Sequence, residues 1–472
     1  MNVSELLAAL PEDDFSSSNA AWAQGRIEEI LADLAQRRVP VGSLHRLWTV
    51  SELSAQIALA YLAWWLRQWF SDAESSKRRQ METNLRVALT LFHRLGYMRG
   101  AMTKLGQAVG NLPLLVPEQV ADILSRLHFD SPPMHYPLIR EVVRNEFGKG
   151  AEDVFRDFDK DAFAAASLGQ VHRARLKSGE PVAVKIQYPG VARTIDADFR
   201  NLSAILFPLR LGKDWESVKA QFEEVRRMLG QEVDYLQEAE ATRLARALFR
   251  PEDGIVVPRV HPEYSGKRVL TTDYIHGLHL ADYLATNPTQ ASRNAFGTKM
   301  YVAWMRMYYA YMPYADPHPG NYLFLPDGRL GLIDFGCVQH YNPEEREIMR
   351  LADRMSHDDP SLTPEVVRRV SGLSSGDPAL PDYLRMMEEY RDWMLEPDNY
   401  PGPYDFGDGG HFQRGLDRLS GTVRKRMMRT SPMYLYYTRS VYGLKALLFQ
   451  LRAQVNVQEI IRRERPAMDR TN

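Results

Sequence analysis

Three side chains in the second half of the chain, Asp316, Asn321 and Asp334, have the types and spacing for phosphoryl-transfer chemistry. Two stand in Asp316-Pro-His-Pro-Gly-Asn321, and the third follows thirteen residues after Asn321 in Leu332-Ile-Asp-Phe-Gly336. Moving a phosphoryl group asks a protein mainly to position the reactants and neutralise charge, so Mg²⁺ beside the phosphates needs hard oxygen ligands. The Asp334 carboxylate and the Asn321 amide are such metal ligands. Asp316, at the head of its loop, is placed to orient or deprotonate an attacking hydroxyl or water. The expected cofactors are Mg²⁺ with ATP or ADP. An ordinary turn rich in Asp, Pro and Gly explains either half alone; the two halves together at this spacing favour the metal reading.

Several elements must position these groups. Pro317, Pro319 and Gly320 stiffen and turn the backbone, while Tyr322–Leu325 and Leu330–Ile333, flanking Pro326-Asp-Gly328, read as a hairpin. The run Phe296–Tyr311, dense in Met, Trp and Tyr, reads as a core helix ahead of the loop, and residues 393–415, rich in Pro, Gly and Asp, as a loop. Upstream, Phe163–Leu176 and Pro181–Tyr188 read as two strands. In the second, Val182, Val184 and Ile186 share one face, which leaves Lys185 on the other. A loop of Ala164, Ala165, Ala166 and Ser167 would cover a nucleotide there, its methyl groups restricting the backbone where glycine would let phosphate approach. Residues 217–248 read as one long helix carrying Glu232, Asp234 and Glu238. At roughly 100° per residue, Glu232 and Glu238 lie about 120° apart, and Asp234 shares a face with Glu238. Glu238 is the expected ion-pair partner of Lys185, with Glu232 and Asp234 left for another cation.

Lys104-Leu-Gly-Gln107, Ala164-Ala-Ala-Ser167, Val182-Ala-Val-Lys185, Glu232-Val-Asp234, Asp316-Pro-His-Pro-Gly-Asn321 and Asp334-Phe-Gly336 stand together and in this order. In these motifs the chain resembles the UbiB-like atypical kinases, a protein-kinase-like family linked to coenzyme Q biosynthesis, over roughly residues 91–460. The resemblance implies an α+β, two-lobed protein-kinase-like fold with an added N-terminal helical extension. It implies a catalytic set of Asp316, Lys185 and Glu238. Nucleotide contacts would come from the alanine-rich loop, from Lys185, and from the main chain of a hinge at Asp273, Tyr274 and Ile275. Lys104, Gly106 and Gln107 would belong to an extension folded over the site where a protein substrate would otherwise bind, anchored by Glu232 and Asp234. The implied activity is that of an ATP-dependent phosphotransferase or ATPase supporting isoprenoid-quinone or related lipid metabolism, with little protein-kinase activity. The implied partners are nucleotide, a lipid or quinone-precursor substrate and lipid-synthesis enzymes. One departure stands out: Tyr314-Ala-Asp316 replaces the family's His-Ala-Asp, which predicts tuning more than inactivity. His318 reads as structural, not as a metal ligand.

With 59 basic and 60 acidic residues the net charge is −1, so nothing draws the whole chain to nucleic acid or an anionic membrane. Any membrane contact would be local and peripheral. The single cysteine, Cys337, excludes an intramolecular disulfide and fits a reducing compartment; a structural thiol is the expectation. The first 14 residues carry acids and no basic residue, unlike a signal or transit peptide, and Ile57–Leu66 is about half the length a membrane span needs. A cytoplasmic protein without a transmembrane helix is expected. The expected organisation is an N-terminal helical region (1–90), the extension (91–150), a small nucleotide-binding lobe (151–275) and a large helical lobe (276–472). Two other readings stay open: a small-molecule phosphotransferase like the aminoglycoside or choline kinases, and a nucleotide-binding scaffold of a lipid-synthesis complex.

Overall fold

The computed structural model describes residues 134–166, 168–191, 233–314, 317–424 and 431–465, with the isolated positions 226 and 230. Of the expected site, Lys104, Gly106, Gln107, Ser167, Glu232 and Asp316 lie outside the described residues. The chain divides into two compact units. One is Met1–Pro133 with Ala165–Gly169 and Tyr188–Gly230, within which the Tyr188 N–H donates to the Leu168 carbonyl at 2.9 Å. The other is Met134–Ala164 with Gln170–Gln187 and Gln231–Asn472, and it holds a strand-rich small lobe followed by a helical large lobe.

The small lobe opens with α1 (Tyr136–Phe147) and the short α2 (Ala151–Val154). Strands β1 (Asp157–Ala166), β2 (Gly169–Arg175) and β3 (Pro181–Gln187) follow, then α3 (Tyr235–Ala247), β4 (Ile255–Val256) and β5 (Val269–Asp273). β1, β2, β3 and β5 form one sheet in that order, with β3 and β5 antiparallel and Lys185 opposite Leu270. Val182, Val184 and Ile186 are wholly buried, as their alternation predicts, and pack with Val269, Phe155 and the α1 residues Ile139, Val142 and Val143. Three- and four-residue spacing gives α1 that single apolar face, so the core of this lobe takes in residues that precede 151.

Two local readings need correction. β1 begins at Asp157, six residues before the expected start at Phe163, and Ala164, Ala165 and Ala166 are its last residues, not a loop. Its first half, Asp157-Phe-Asp-Lys-Asp161, lacks the alternation that marks a strand, because only Phe158 there packs on the core. Nor does one helix run through Asp234. Asp234 is the N-cap of α3, its backbone extended at φ −111° and ψ 92° and its carboxylate accepting from the Leu236 N–H at 3.1 Å. A short acid that can bond its own downstream backbone starts helices instead of continuing them. Helical spacing therefore does not relate Asp234 to Glu238.

The large lobe contains α4 (Leu280–Ala285), α5 (Gln290–Tyr309), β6 (Tyr322–Phe324), β7 (Leu330–Leu332), α6 (Pro343–His357), α7 (Thr363–Ser371) and α8 (Leu380–Met394). β8 (Tyr404–Asp405), α9 (Gly409–Arg424), α10 (Pro432–Leu451), β9 (Gln454–Val455) and α11 (Val457–Glu464) complete it. The expected hairpin is present as β6 and β7, paired antiparallel from Tyr322↔Leu332 to Phe324↔Leu330, with Gly328 supplying the positive φ of 82° that its turn needs. α5 is buried around most of its circumference, from Phe296 and Met300 to Met307 and Tyr309, which makes it the central helix of the lobe. Among the described residues no helix is long and apolar enough to cross a membrane.

Candidate active site

Lys185 is the hub of the site. From β3 its ammonium donates to both Glu238 oxygens, at 2.7 and 2.8 Å, and to Asp334 Oδ2 at 3.0 Å. The sheet supplies the lysine, the first turn of α3 the glutamate, and the segment after β7 the aspartate. Glu238 keeps 5% of its side chain exposed, Lys185 16% and Asp334 33%, so the pair is buried and the site opens on the Asp334 side. The Tyr235 ring lies 5.2 Å from the ammonium. Burial works against the charged amine, but the Asp334 and Glu238 carboxylates outweigh it and hold the Lys185 pKa well above its ordinary value. The Lys185–Glu238 pair expected from the sequence is thus formed; the direct contact of Lys185 with Asp334 has no sequence signal.

Asp334 is fixed from two sides. Its Oδ1 accepts from the Gly336 N–H at 2.9 Å, and its main-chain carbonyl accepts from the Tyr314 hydroxyl at 2.7 Å. Tyr314 is 5% exposed and packs its ring near Phe335 and Tyr322, so the residue that departs from the family motif ties the head of the catalytic loop to the Asp334 turn. Further along, His318 Nδ1 accepts from the Gly320 N–H at 3.0 Å, a turn-forming contact, and the Asn321 carbonyl accepts from the Ile333 N–H at 3.1 Å. Asn321 and Asp334 therefore stand at the two ends of the β6–β7 hairpin that brings them together. Beneath the loop runs α10, where a Cβ on Gly443 would come within 1.9 Å of the Pro317 ring. Sequence reading missed this support. A glycine inside the helix-forming run Val441-Tyr-Gly-Leu444 is the signal that could have found it.

At the end of β5, the hinge residues are partly committed to the protein itself. The Asp273 N–H donates to the Arg259 carbonyl at 3.0 Å and the Tyr274 N–H to the Pro181 carbonyl at 3.1 Å, so neither donor is on offer to a base. The Asp273 carboxylate lies 2.8 Å from His261 Nε2. Tyr274 meets Phe163 edge to face, and the Arg173 guanidinium lies over both rings. Cys337 is half-buried directly after the Asp334 turn.

The donor set fits a magnesium nucleotide. Mg²⁺ beside phosphates takes one or two protein oxygens and keeps the phosphate and water oxygens for the rest. One carboxylate, Asp334, and one amide, Asn321, match that demand. Among the described residues no group of three or more His, Cys, Asp or Glu could hold a metal without such a partner.

Comparison with known proteins agrees with this geometry. Residues 126–359 match the model of the ABC1 atypical kinase-like domain. The chain is 28% identical over 438 residues to the mitochondrial atypical kinase COQ8 of Schizosaccharomyces pombe, covering 90% of this chain and 70% of the relative. It is 31% identical over 281 residues to AarF domain-containing protein kinase 1 of Mus musculus, covering 58% of this chain and 53% of that one. The matches span about half the length of several such relatives, including a chloroplast ABC1-complex kinase of Arabidopsis thaliana of which 45% is covered. Among solved structures, the Rv3197–erythromycin complex from Mycobacterium tuberculosis superposes with a TM-score of 0.53 at 24% identity, covering 84% of this chain and 99% of that one, which supports the fold. By its kinase-like fold and its ABC1 domain, the chain belongs to the UbiB-like family of atypical kinases.

Proposed function

We propose that the site binds Mg²⁺ with ATP or ADP and carries out a restricted nucleotide reaction, either hydrolysis or transfer to a small molecule, with little phosphorylation of proteins. The observation that carries this reading is the buried contact of Lys185 with Glu238 and Asp334. All three N–H donors of the amine are engaged, so Lys185 would turn to a phosphate by exchanging its contact with Asp334, the more exposed of its two partners. Glu238 would keep the amine charged and aimed. Asp334 and Asn321 would hold the Mg²⁺, which supplies charge neutralisation at the phosphates. Asp316, directly before Pro317, would orient the attacking hydroxyl or water. Because the Asp273 and Tyr274 N–H groups are in use, base contacts at the hinge would come from its remaining main-chain groups, carbonyls included. The family resemblance adds a role in isoprenoid-quinone or related lipid metabolism, a lipid or quinone-precursor substrate, and an extension at Lys104, Gly106 and Gln107 that limits access and is anchored by Glu232 and Asp234. The test is a thermal-shift titration of the full chain with Mg-ATP and Mg-ADP, followed by phosphate release from wild type, Lys185→Ala and Asp334→Asn. A raised midpoint with release that both variants abolish is expected. Binding without any Asp334-dependent release would assign the site to a nucleotide-binding scaffold.

A further inference from the structure

The large lobe holds a second feature that could take a ligand. A cavity lies among α6, α7, α8, α10 and the end of α5, and none of the residues bounding it belongs to the nucleotide site. It offers ~50 Å³ to the centres of water-sized molecules, several times the ~10–15 Å³ that one water needs. The walls are almost wholly apolar, so water inside would lack the polar partners that order it. Five methionines contribute: Met349, Met355, Met387, Met394 and Met433. Their unbranched thioethers can rearrange around guests of different outline.

The few polar groups say what the guest should carry. The Tyr434 and Tyr437 hydroxyls turn to the sulfurs of Met387 and Met394, which are weak acceptors. Tyr390, 8% exposed and part of the wall, has a buried hydroxyl with no hydrogen-bond partner among the described residues, and the Thr438 hydroxyl beside it has none either. A buried hydroxyl left without a partner costs free energy that an acceptor would recover. Arg391 lines the same cavity with its side chain 18% exposed, one arm on Thr363 Oγ1 at 3.3 Å and another on Asp392 Oδ1 at 3.2 Å. An apolar guest with an acceptor at one end would meet donors and no competing acceptor stronger than a thioether.

We propose that this cavity is a binding site for a small, mostly apolar molecule, a short aliphatic chain or a single ring, whose one hydrogen-bond acceptor is met by the Tyr390 hydroxyl. The site is independent of the nucleotide reading. It is also placed to matter to it: α10, which contributes Met433, Tyr434 and Tyr437 to the wall, bears on Pro317 through Gly443 six residues beyond Tyr437.

Calorimetric titration of the full chain with 1-octanol and with 1-chlorooctane, which has the same shape and a poor acceptor, tests this. Wild type is expected to bind octanol more tightly than chlorooctane. Tyr390→Phe is expected to weaken octanol about fivefold, the worth of one net hydrogen bond, and to leave chlorooctane unchanged. Ala352→Leu, which fills the cavity from α6, is expected to weaken both at least about tenfold, since the room they need is gone. Should Ala352→Leu fail to fold, the Tyr390→Phe comparison still decides. Absence of octanol binding to wild type, or equal octanol binding to wild type and Tyr390→Phe, overturns the proposal.

Discussion

Replacing Gly443 by alanine sets two effects of opposite sign against each other. Inside a helix the change normally stabilises by ~1 kcal/mol, because glycine loses more backbone freedom on folding. At this position in α10, however, the new methyl group would stand 1.9 Å from Pro317 Cγ, 2.9 Å from its Cβ and 3.1 Å from its Cδ. Carbon atoms rest at ~3.5–4.0 Å, so the ring would have to retreat by about 1.5–2 Å. A proline ring cannot rotate out of the way, and Pro317 directly follows Asp316, so the displacement passes into the catalytic loop. Overpacking of this kind costs ~1–3 kcal/mol, which cancels or exceeds the helix gain. The net change in stability should therefore fall between none and a loss of ~2 kcal/mol. Catalysis suffers more, since misplacing a reacting group by about an ångström costs ~100-fold in rate. Lys185, Glu238 and Asp334 are untouched, so nucleotide affinity should hold. Urea denaturation, nucleotide calorimetry and phosphate release on wild type and Gly443→Ala check the three parts. A variant that is ~1 kcal/mol more stable and turns over at the wild-type rate would refute the idea that α10 braces the loop.

Two further substitutions probe the same frame. Tyr314→Phe removes the hydroxyl that donates to the Asp334 carbonyl at 2.7 Å, and should cost ~1–1.5 kcal/mol of stability and raise the Mg²⁺ concentration needed for half-maximal turnover. Tyr314→His should recover part of both losses, and a Phe variant equal to wild type in both assays would count against the tether. A pH series addresses the buried cluster in which Lys445 lies 3.1 Å from His411 Nε2 and 3.9 Å from the centre of the Trp393 ring. Facing it are Glu396, Asp398, Arg414 and the Tyr301 and Tyr404 hydroxyls. Burial first, then the Lys445 charge, holds the His411 pKa down to about 4, against the pull of Glu396. A depressed histidine takes up its proton more readily when unfolded, so its contribution is full above about 6.5 and is lost as pH falls toward 4, on the order of 3 kcal/mol. Burial also lowers Lys445 to about 7, so stability from this group rises with pH from 7 toward 10.5. Asp398 works the other way, because burial raises its pKa. Urea denaturation of wild type beside Lys445→Met isolates the amine: the variant should lose the rise above pH 7, and parallel pH curves would contradict its placement.

Much of the frame could be read from local pattern. Alternation at Val182, Val184 and Ile186 settled which face of β3 carries Lys185, and the Pro326-Asp-Gly328 turn between two apolar runs marked the β6–β7 hairpin. Both signals are short-range and rest on one strongly apolar face. Where a strand is polar on both faces the signal fades, which is why Asp157–Asp161 of β1 was not legible. Asp234 was misread for a different reason: an acid beside a helical pattern can continue the helix or cap it, and only the backbone torsions decide. Contacts between distant residues left no trace at all. The Lys185–Asp334 pair, the Tyr314 tether and the approach of Gly443 to Pro317 depend on how the lobes and helices pack, not on any local period.

Metal-dependent nucleotide binding tests the central claim most directly. Isothermal calorimetry would titrate ATP and ADP into the full chain, with and without Mg²⁺, for wild type and Asp334→Asn. Asp334 serves both as the proposed metal ligand and as a charge beside Lys185, so the substitution separates the two roles. The account predicts that Mg²⁺ tightens nucleotide binding to wild type, and that Asp334→Asn loses this enhancement while binding metal-free nucleotide at least as well, since one negative charge facing the phosphates is gone. Equal affinity of wild type for nucleotide with and without Mg²⁺, or an undiminished Mg²⁺ effect in Asp334→Asn, would contradict it.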